Sequence, residues 1–467
     1  METVEIIEKL IERARIAQAK VANYTQEQID DVVLAIGWEV YNDKNISLLA
    51  KLAVEETGMG NVEDKIKKHK GKVLGVLKDV KGAKSVGIIE EDSLKGITKY
   101  AKPVGVVGAL CPVTNPTATP SSNSISIIKG RNAVIFAPHP RSKNCSKQAV
   151  EFMRAGLRKV GAPEDLIQII EEPSIEATGI LMEKVDLVVA TGGGAMVKAA
   201  YSSGTPAYGV GPGNSVQIIA EDADVVDAMK KVAMSKTFDN ATSCSSENSI
   251  IIHESIYEEA VNVLKAEGGQ LLTIDEKKIL KQWMWQPNKK GHLTLNANIV
   301  AKSANVIAQD AGLTPEKSIS MLLVEGQLPV EEDYFSEEKL SPVLTLWKYT
   351  TFDEAMDILV RLTTVSGTGH SCGIHTKTEE YVHRLGMEMK TSRIMVNQPQ
   401  APANGGNFFN GMPSTVTLGC GTWGGNITSE NINYKHFLNL TWVSRLIPVV
   451  KPTDEEMWGE FFLRYGR

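Results

Sequence analysis

The chain has 467 residues, 42% hydrophobic and 23% charged, with a net charge of −6. That length calls for two or three domains at roughly 150 residues each. The charge balance is that of a soluble globular protein and lacks the basic excess of a nucleic-acid binder. No apolar run approaches the ~20 residues that span a bilayer. Five scattered cysteines without a CxxC pair fit a reducing compartment and indicate neither a metal site nor a redox motif.

The N-terminus, METVEIIEKLIERARIAQAK, begins acidic and lacks the apolar stretch of a signal peptide; the expected address is cytoplasmic. Val4, Ile7, Leu10, Ile11, Ala14 and Ala17 follow helical spacing. Residues 1–70 read as helices that packing explains, and no chemistry is assigned to them. A polar, lysine-rich stretch follows. The alternation in GIIEE and GITKYA predicts a hairpin over 86–103.

From residue 104 the runs VGVVGAL, NAVIFAP, IQIIE, DLVVAT and VQIIAE alternate with helix-like segments. This pattern predicts a doubly wound parallel sheet buried on both faces, with ligands beyond the carboxyl ends of its strands. CPVTNPTA, PHPRSKN and TGGGAM are the loops there. TGGGAM (191–196) opens a helix, where free N–H groups favour a phosphate, or it is simply a tight turn. PHPRSKN carries His139, Arg141 and Lys143, which either meet a nucleotide ribose or its phosphate or are solvated.

After a further helix over 223–238, SKTFDNATSCSSENSIIIH (235–253) places Cys244 in a hydroxyl-rich loop before a strand. A thiol there is a candidate nucleophile, although a lone cysteine is more often a small buried hydrophobe. YGVGPGNS (208–215), a loop suited to close backbone approach, strengthens the candidate. Cys111, Cys145, Cys372 and Cys420 read as packing or loop residues. A second α/β run extends through SMLLVEG, PVLTLWKY and SRIMVNQPQ. Residues 400–426 form a structured Gly-, Asn- and Pro-rich loop. The segment NITSENINYKHFLNLTWVSRLIP alternates enough to pair with the earlier hairpin.

FDNATSCSSE, GVGPGN and PVTNP, in order over essentially the whole chain, resemble the CoA-acylating aldehyde dehydrogenases. The resemblance implies an α/β fold with a Rossmann-type dinucleotide-binding domain (1–85 and 104–234). It also implies a catalytic domain bearing the nucleophilic cysteine (235–426). Residues 86–103 and 427–467 then form a β-hairpin oligomerisation arm and C-terminal segment, giving a homo-oligomer, dimer or tetramer. By the same resemblance Cys244 is the nucleophile, and Asn115 with the Cys244 N–H forms the oxyanion site. His370 of GTGHSCG assists proton movement or is structural. Glu338 of EEKLSPV orients the nicotinamide ribose of NAD or NADP. Thr114, His139, Arg141, Gly192, Gly193, Gly194, Gly211 and Gly213 are counted with the cofactor site. Ala241 departs from the glycine of FDNG that many relatives carry.

Hydrolytic relatives place a glutamate a little over thirty residues before the cysteine. Here no Asp or Glu occurs between Asp186 and Glu221. Without that base water attack is slow, so the expected acyl acceptor is coenzyme A. The partners are then a small aldehyde and CoA, with no nucleic acid and no membrane. TLGCGTWGGN, NGGNFFNG and the C-terminal segment look most like the sulfoacetaldehyde group. Acetaldehyde, succinate semialdehyde and a hydrolytic reaction are the alternatives. With no Arg between Arg393 and Arg445 to pair a carboxylate, amide and backbone donors are expected to hold a sulfonate.

Overall fold

The computed structural model describes residues 2–288, 290–315 and 318–467. The chain opens on helices α1 (Glu2–Val21), α2 (Gln26–Tyr41), α3 (Asp43–Thr57) and α4 (Val62–Val80). Ile7, Ile11, Ala14 and Ala17 are buried along α1, as their spacing predicts. Thr25 starts α2 through a reciprocal capping box with Gln28, which satisfies two otherwise orphaned helix N–H groups. The lysine-rich stretch after residue 70 is not a polar connection but the second half of α4. Val73, Val76 and Val80 bury one side of it at amphipathic spacing, leaving the lysines on its other faces.

β1 (Gly87–Asp92) and β2 (Ile97–Pro103) form the expected antiparallel hairpin. Next come β3 (Val106–Leu110), α5 (Ala118–Lys129), β4 (Ala133–Ala137), α6 (Lys143–Lys159), β5 (Ile167–Ile169), α7 (Ile175–Lys184), β6 (Leu187–Thr191), α8 (Gly194–Ser202) and β7 (Ala207–Val210). The strands after the hairpin build a five-stranded sheet in the order β5-β4-β3-β6-β7, every pairing parallel. All of β3 and β4 is buried, as central strands covered on both faces require. Each fully buried Val or Ile there contributes roughly 2 kcal/mol.

The chain continues through β8 (Ser215–Ile219), α9 (Val225–Thr237), β9 (Glu247–His253), α10 (Tyr257–Ala266), β10 (Gly269–Leu271) and α11 (Ile274–Met284). The hairpin β11 (Trp285–Pro287) and β12 (Leu293–Leu295), α12 (Ala304–Asp310), β13 (Met321–Glu325) and β14 (Val343–Tyr349) follow. Then come α13 (Phe352–Val365), β15 (Cys372–His375), α14 (Glu379–Glu388), β16 (Ile394–Val396) and α15 (Gln400–Ala403). A second, seven-stranded sheet has the order β10-β13-β14-β9-β8-β15-β16. β8 is the VQII run expected in the first sheet, yet it pairs with β9 and β15. The GPGN turn carries the chain across, so the sheets change over at residues 211–214 rather than at 234. The polar region before residue 300 contains α11 and the β11–β12 hairpin, which its exposure had hidden.

β17 (Leu438–Ser444) returns to pair antiparallel with β2, as its alternation predicts, and α16 (Asp454–Tyr465) follows. Among the described residues, no helix is long and apolar enough to cross a membrane. Asn115, in the loop after β3, and Cys244, before β9, line one cavity, and Ser215 at the start of β8 meets Ser371, just before β15, at 2.7 Å.

Candidate active site

Cys244 sits between α9 and β9, after a turn with unusual backbone. Asp239, Asn240 and Ala241 have φ of 50, 52 and 57°. The left-handed region costs an L-residue about 1–2 kcal/mol, less for Asn and Asp, so the turn persists only if it is tied down. It is: Asp239 is fully buried, with its Oδ2 2.6 Å from Lys68 Nζ and 3.2 Å from Lys65 Nζ. Thr242 Oγ1 donates to the same carboxylate at 2.7 Å. Asn61 N–H donates to Asp239 Oδ1 at 3.1 Å, and Asp239 N–H donates to Asp64 Oδ2 at 2.8 Å. These anchors come from α4 and its cap, so the lysine-rich helix holds the nucleophile's turn.

On the other side the 211–214 turn lies against the Cys244 backbone. A Cβ on Gly213 would overlap the Cys244 carbonyl oxygen and fall 2.9 Å from the carbonyl carbon. Gly213 is there for close approach. Gly211 is different: its nearest neighbour would be the Gly424 carbonyl oxygen at 3.5 Å, an ordinary contact.

His370 Nε2 lies 3.2 Å from Cys244 Sγ. Its Nδ1 is 2.8 Å from Ser371 Oγ, which is 2.7 Å from Ser215 Oγ. These hydroxyls accommodate the tautomer with the proton on Nδ1, in which Nε2 is the acceptor for the thiol proton. Arg393 fixes the backbone behind it, donating to the carbonyls of His370 at 3.0 Å, Gly419 at 2.6 Å and Ser429 at 3.1 Å. Burial, reinforced by the charge of Glu338, pushes the Cys244 thiol up to about 12. Burial, then Arg393, pulls His370 down to about 3. The pair therefore rests as thiol and neutral imidazole, with no standing ion pair.

Cys244 opens on a cavity of about 150 Å³ shared with Asn115, Lys68, Lys72, Phe408 and Leu418. Lys68 Nζ donates to Asn115 Oδ1 at 3.0 Å; this fixes the amide and leaves its NH₂ for the cavity. Lys67, Lys68 and Lys72 all line it, and among the described residues no Asp or Glu does. Assigning no chemistry to the early helices is therefore corrected: α4 forms one cavity wall. Its contributing residues Lys68, Gly71, Lys72 and Gly75 recur at i, i+3, i+4 and i+7, one helix face. A helix face carrying only lysine and glycine was the signal available in the sequence.

Of the remaining candidates, Glu338 is half-buried beside the site. It accepts the Gly213 N–H, and burial pushes it up to about 8 against the opposing charges of Lys236 and Lys339. Its Oε1 is buried without a partner, an acceptor that fits a ribose hydroxyl. Gly192, Gly193 and Gly194 follow β6 at the start of α8, and a Cβ on Gly193 or Gly194 would meet open space. Such a surface fits a pyrophosphate. His139 Nδ1 accepts the Arg141 N–H at 3.1 Å, and the Arg141 side chain donates to Thr57 O at 3.2 Å. Both residues lie at the carboxyl end of β4, and Thr114 is half-buried in the turn after β3. The structure thus gathers Cys244, His370, Asn115, Gly213 and Glu338 at one point. Thr114, His139, Arg141 and Gly192–Gly194 do not line the thiol's cavity.

The model of the aldehyde dehydrogenase family matches residues 1–424. A sulfoacetaldehyde dehydrogenase of an Acholeplasma species is 64% identical over 451 residues, 97% of this chain and 93% of the relative. A sulfoacetaldehyde dehydrogenase (acylating) of Bilophila wadsworthia is 56% identical over 464 residues, 99% of this chain and 100% of the relative. The crystal structure of an acetylating aldehyde dehydrogenase from Geobacillus thermoglucosidasius superposes with a TM-score of 0.92 at 36% identity, covering 97% of this chain and 99% of that one. With the two-sheet fold, the thiol between the sheets and agreement over nearly whole chains, this chain belongs to the aldehyde dehydrogenase family.

Proposed function

We propose that this chain oxidises sulfoacetaldehyde to its CoA thioester through an acyl group carried on Cys244. The balanced reaction is aldehyde + CoA + NAD(P)+ to acyl-CoA + NAD(P)H + H+, reversible because the thioester conserves the oxidation energy. The observation that carries it is the part-buried Cys244–His370 pair, 3.2 Å apart, opening on a cavity that no carboxylate lines among the described residues.

The thiol proton passes to His370 Nε2 as sulfur bonds to the aldehyde carbon. The resulting oxyanion is met by the Asn115 NH₂ and the Cys244 N–H. A bound nicotinamide dinucleotide supplies the hydride acceptor. Glu338 offers its unpartnered oxygen to the ribose, and the open turn at Gly192–Gly194, with Thr114, His139 and Arg141, offers the strand-end surface for the rest of the dinucleotide. The acyl group is left as a thioester on Cys244. His370, its first proton released to solvent, takes the CoA thiol proton as that sulfur attacks and passes it to the departing Cys244 sulfur, restoring the thiol and the neutral imidazole. The space beside Gly211 suits a pantetheine arm; Gly213, packed on Cys244, does not. The absence of Asp and Glu from 187–220 favours the thiol over water as acceptor.

The names of the relatives favour the sulfonate-bearing substrate. The sheet β1-β2-β17 and the exposed Leu446, Val449 and Val450 suit a contact between copies of this chain in a cytoplasmic homo-oligomer, since large exposed apolar patches mark interaction sites. The test follows NAD(P)H absorbance with sulfoacetaldehyde, acetaldehyde and succinate semialdehyde, each with and without CoA. Steady turnover only with CoA, fastest on sulfoacetaldehyde, is expected. Equal turnover without CoA would overturn the acylating route, and faster use of another aldehyde would overturn the substrate.

A further inference from the structure

The cavity that receives the aldehyde is positive, and one of its charges is unspent. Lys67 pairs with Glu63 at 2.8 Å, and Lys68 with Asp239 at 2.6 Å. Among the described residues no carboxylate pairs with Lys72. Its Nζ donates to the carbonyl oxygen of Gly405 at 2.9 Å and reaches that of Gly406 at 3.5 Å. Carbonyls satisfy donors but leave the ammonium charge uncompensated, and a half-buried cation without a counter-ion is costly. Gly71 precedes it on the cavity wall, and a Cβ there would meet nothing within 4 Å. Glycine inside a helix costs roughly 1 kcal/mol relative to alanine, so α4 gives up stability where the wall borders empty space. The volume, about 150 Å³, has room for a small tail.

We propose that the α4 face bearing Lys68, Gly71 and Lys72 is the subsite for the anionic tail of the aldehyde, with Lys72 selecting a sulfonate- or carboxylate-bearing substrate over an uncharged one. This replaces the amide and backbone donors expected from sequence with a lysine from a helix far from the motif loops. It rests on the acylating reading only in taking Cys244 as the point of attack. The anion's charge is met by Lys72, whose carbonyl partners hold the ammonium in place. The tail's direction along the wall then fixes which end of the molecule reaches Cys244.

The test compares kcat/KM for sulfoacetaldehyde, succinate semialdehyde and 3,3-dimethylbutanal, the last an uncharged shape analogue of the sulfonate, in wild type, Lys72→Met and Lys72→Arg. Losing a charge-assisted hydrogen bond is worth about tenfold to a hundredfold. The preference for an anionic aldehyde over dimethylbutanal should therefore fall by about that factor in Lys72→Met and be largely kept in Lys72→Arg. Ethanesulfonate should inhibit the wild type competitively against the aldehyde; this measurement stands even if Lys72→Met does not fold. A parallel loss on charged and uncharged aldehydes would make Lys72 a strap for the 405–406 loop and overturn the proposal. So would a raised KM for CoA alone, or no inhibition by ethanesulfonate. Lys72-dependent turnover of succinate semialdehyde without turnover of sulfoacetaldehyde would keep the subsite and overturn the sulfonate reading instead.

Discussion

Gly213→Ala is the sharpest test of how the nucleophile is held. The φ of Gly213 is not in the left-handed region, so alanine brings no backbone strain and only its methyl is on trial. That methyl would fall 2.9 Å from the Cys244 carbonyl carbon and 3.0 Å from Cys244 Cβ, and would overlap the carbonyl oxygen. Comfortable carbon–carbon contact is about 3.5–4.0 Å, so something must move by roughly 1 Å. The three nearest atoms all belong to Cys244. A displacement of that size at a reacting centre costs about a hundredfold in rate, and the overpacking costs about 1–3 kcal/mol in stability. The assay is the burst of NAD(P)H formed in the absence of CoA, which reports acylation of Cys244 without any effect on the CoA arm, alongside a thermal melt. Gly211→Ala is the control, since its methyl would stop 3.5 Å from the nearest atom. A Gly213→Ala burst within threefold of wild type would refute the claim that this glycine positions the nucleophile.

Further outcomes follow from the same geometry. Ala241→Gly removes an alanine at φ 57° and should raise stability by about 1 kcal/mol, read as a shift of the denaturant midpoint; an unchanged midpoint would mean the turn is not strained there. Glu338, pushed up to about 8 by burial, is neutral below that pH and charged above it. Glu338→Gln should therefore speed iodoacetamide alkylation of Cys244 at pH 9, where the charge opposes the thiolate, and slow the NAD(P)H burst; slowing of both would point to a collapsed site. Burial and Lys68 draw Lys72 down to about 8, so it is charged at pH 7 and loses its proton as the pH rises. With Lys67 and Lys68 on the same helix, and Asp239 and Cys244 facing it, kcat/KM for an anionic aldehyde should fall above about pH 8. A pH profile on 3,3-dimethylbutanal should lack that limb.

Much of this molecule was legible in the sequence because its signals are local. Short apolar runs announced both parallel sheets, and Cys244, Asn115 and His370 came from motif loops that the fold then brought together. The errors share a cause. β8 reads as a buried strand in either sheet, and only pairing decides which. Lys68 reads as carrying no chemistry and Lys72 as part of a polar, lysine-rich stretch, because nothing in residues 62–80 says that the 400–418 loop will cover them. Arg393 gave no sign that its guanidinium would be spent on three backbone carbonyls behind His370. Strand identity is written in consecutive residues, whereas the use of a charge is written in whatever folds against it.

Because α4 anchors the Asp239 turn and also walls the cavity, its positions divide by duty. Asn61, Asp64 and Lys65 serve the nucleophile's turn, Gly71 and Lys72 serve the tail, and Lys68 serves both. Divergence toward other aldehydes therefore has an open route through 71 and 72, one turn further along the helix than the residues that keep Cys244 in place, whereas Gly75 is closed by Ser414. Substitution at 68 would change diet and chemistry together, which makes it the position where a lineage switching substrates would be expected to stall.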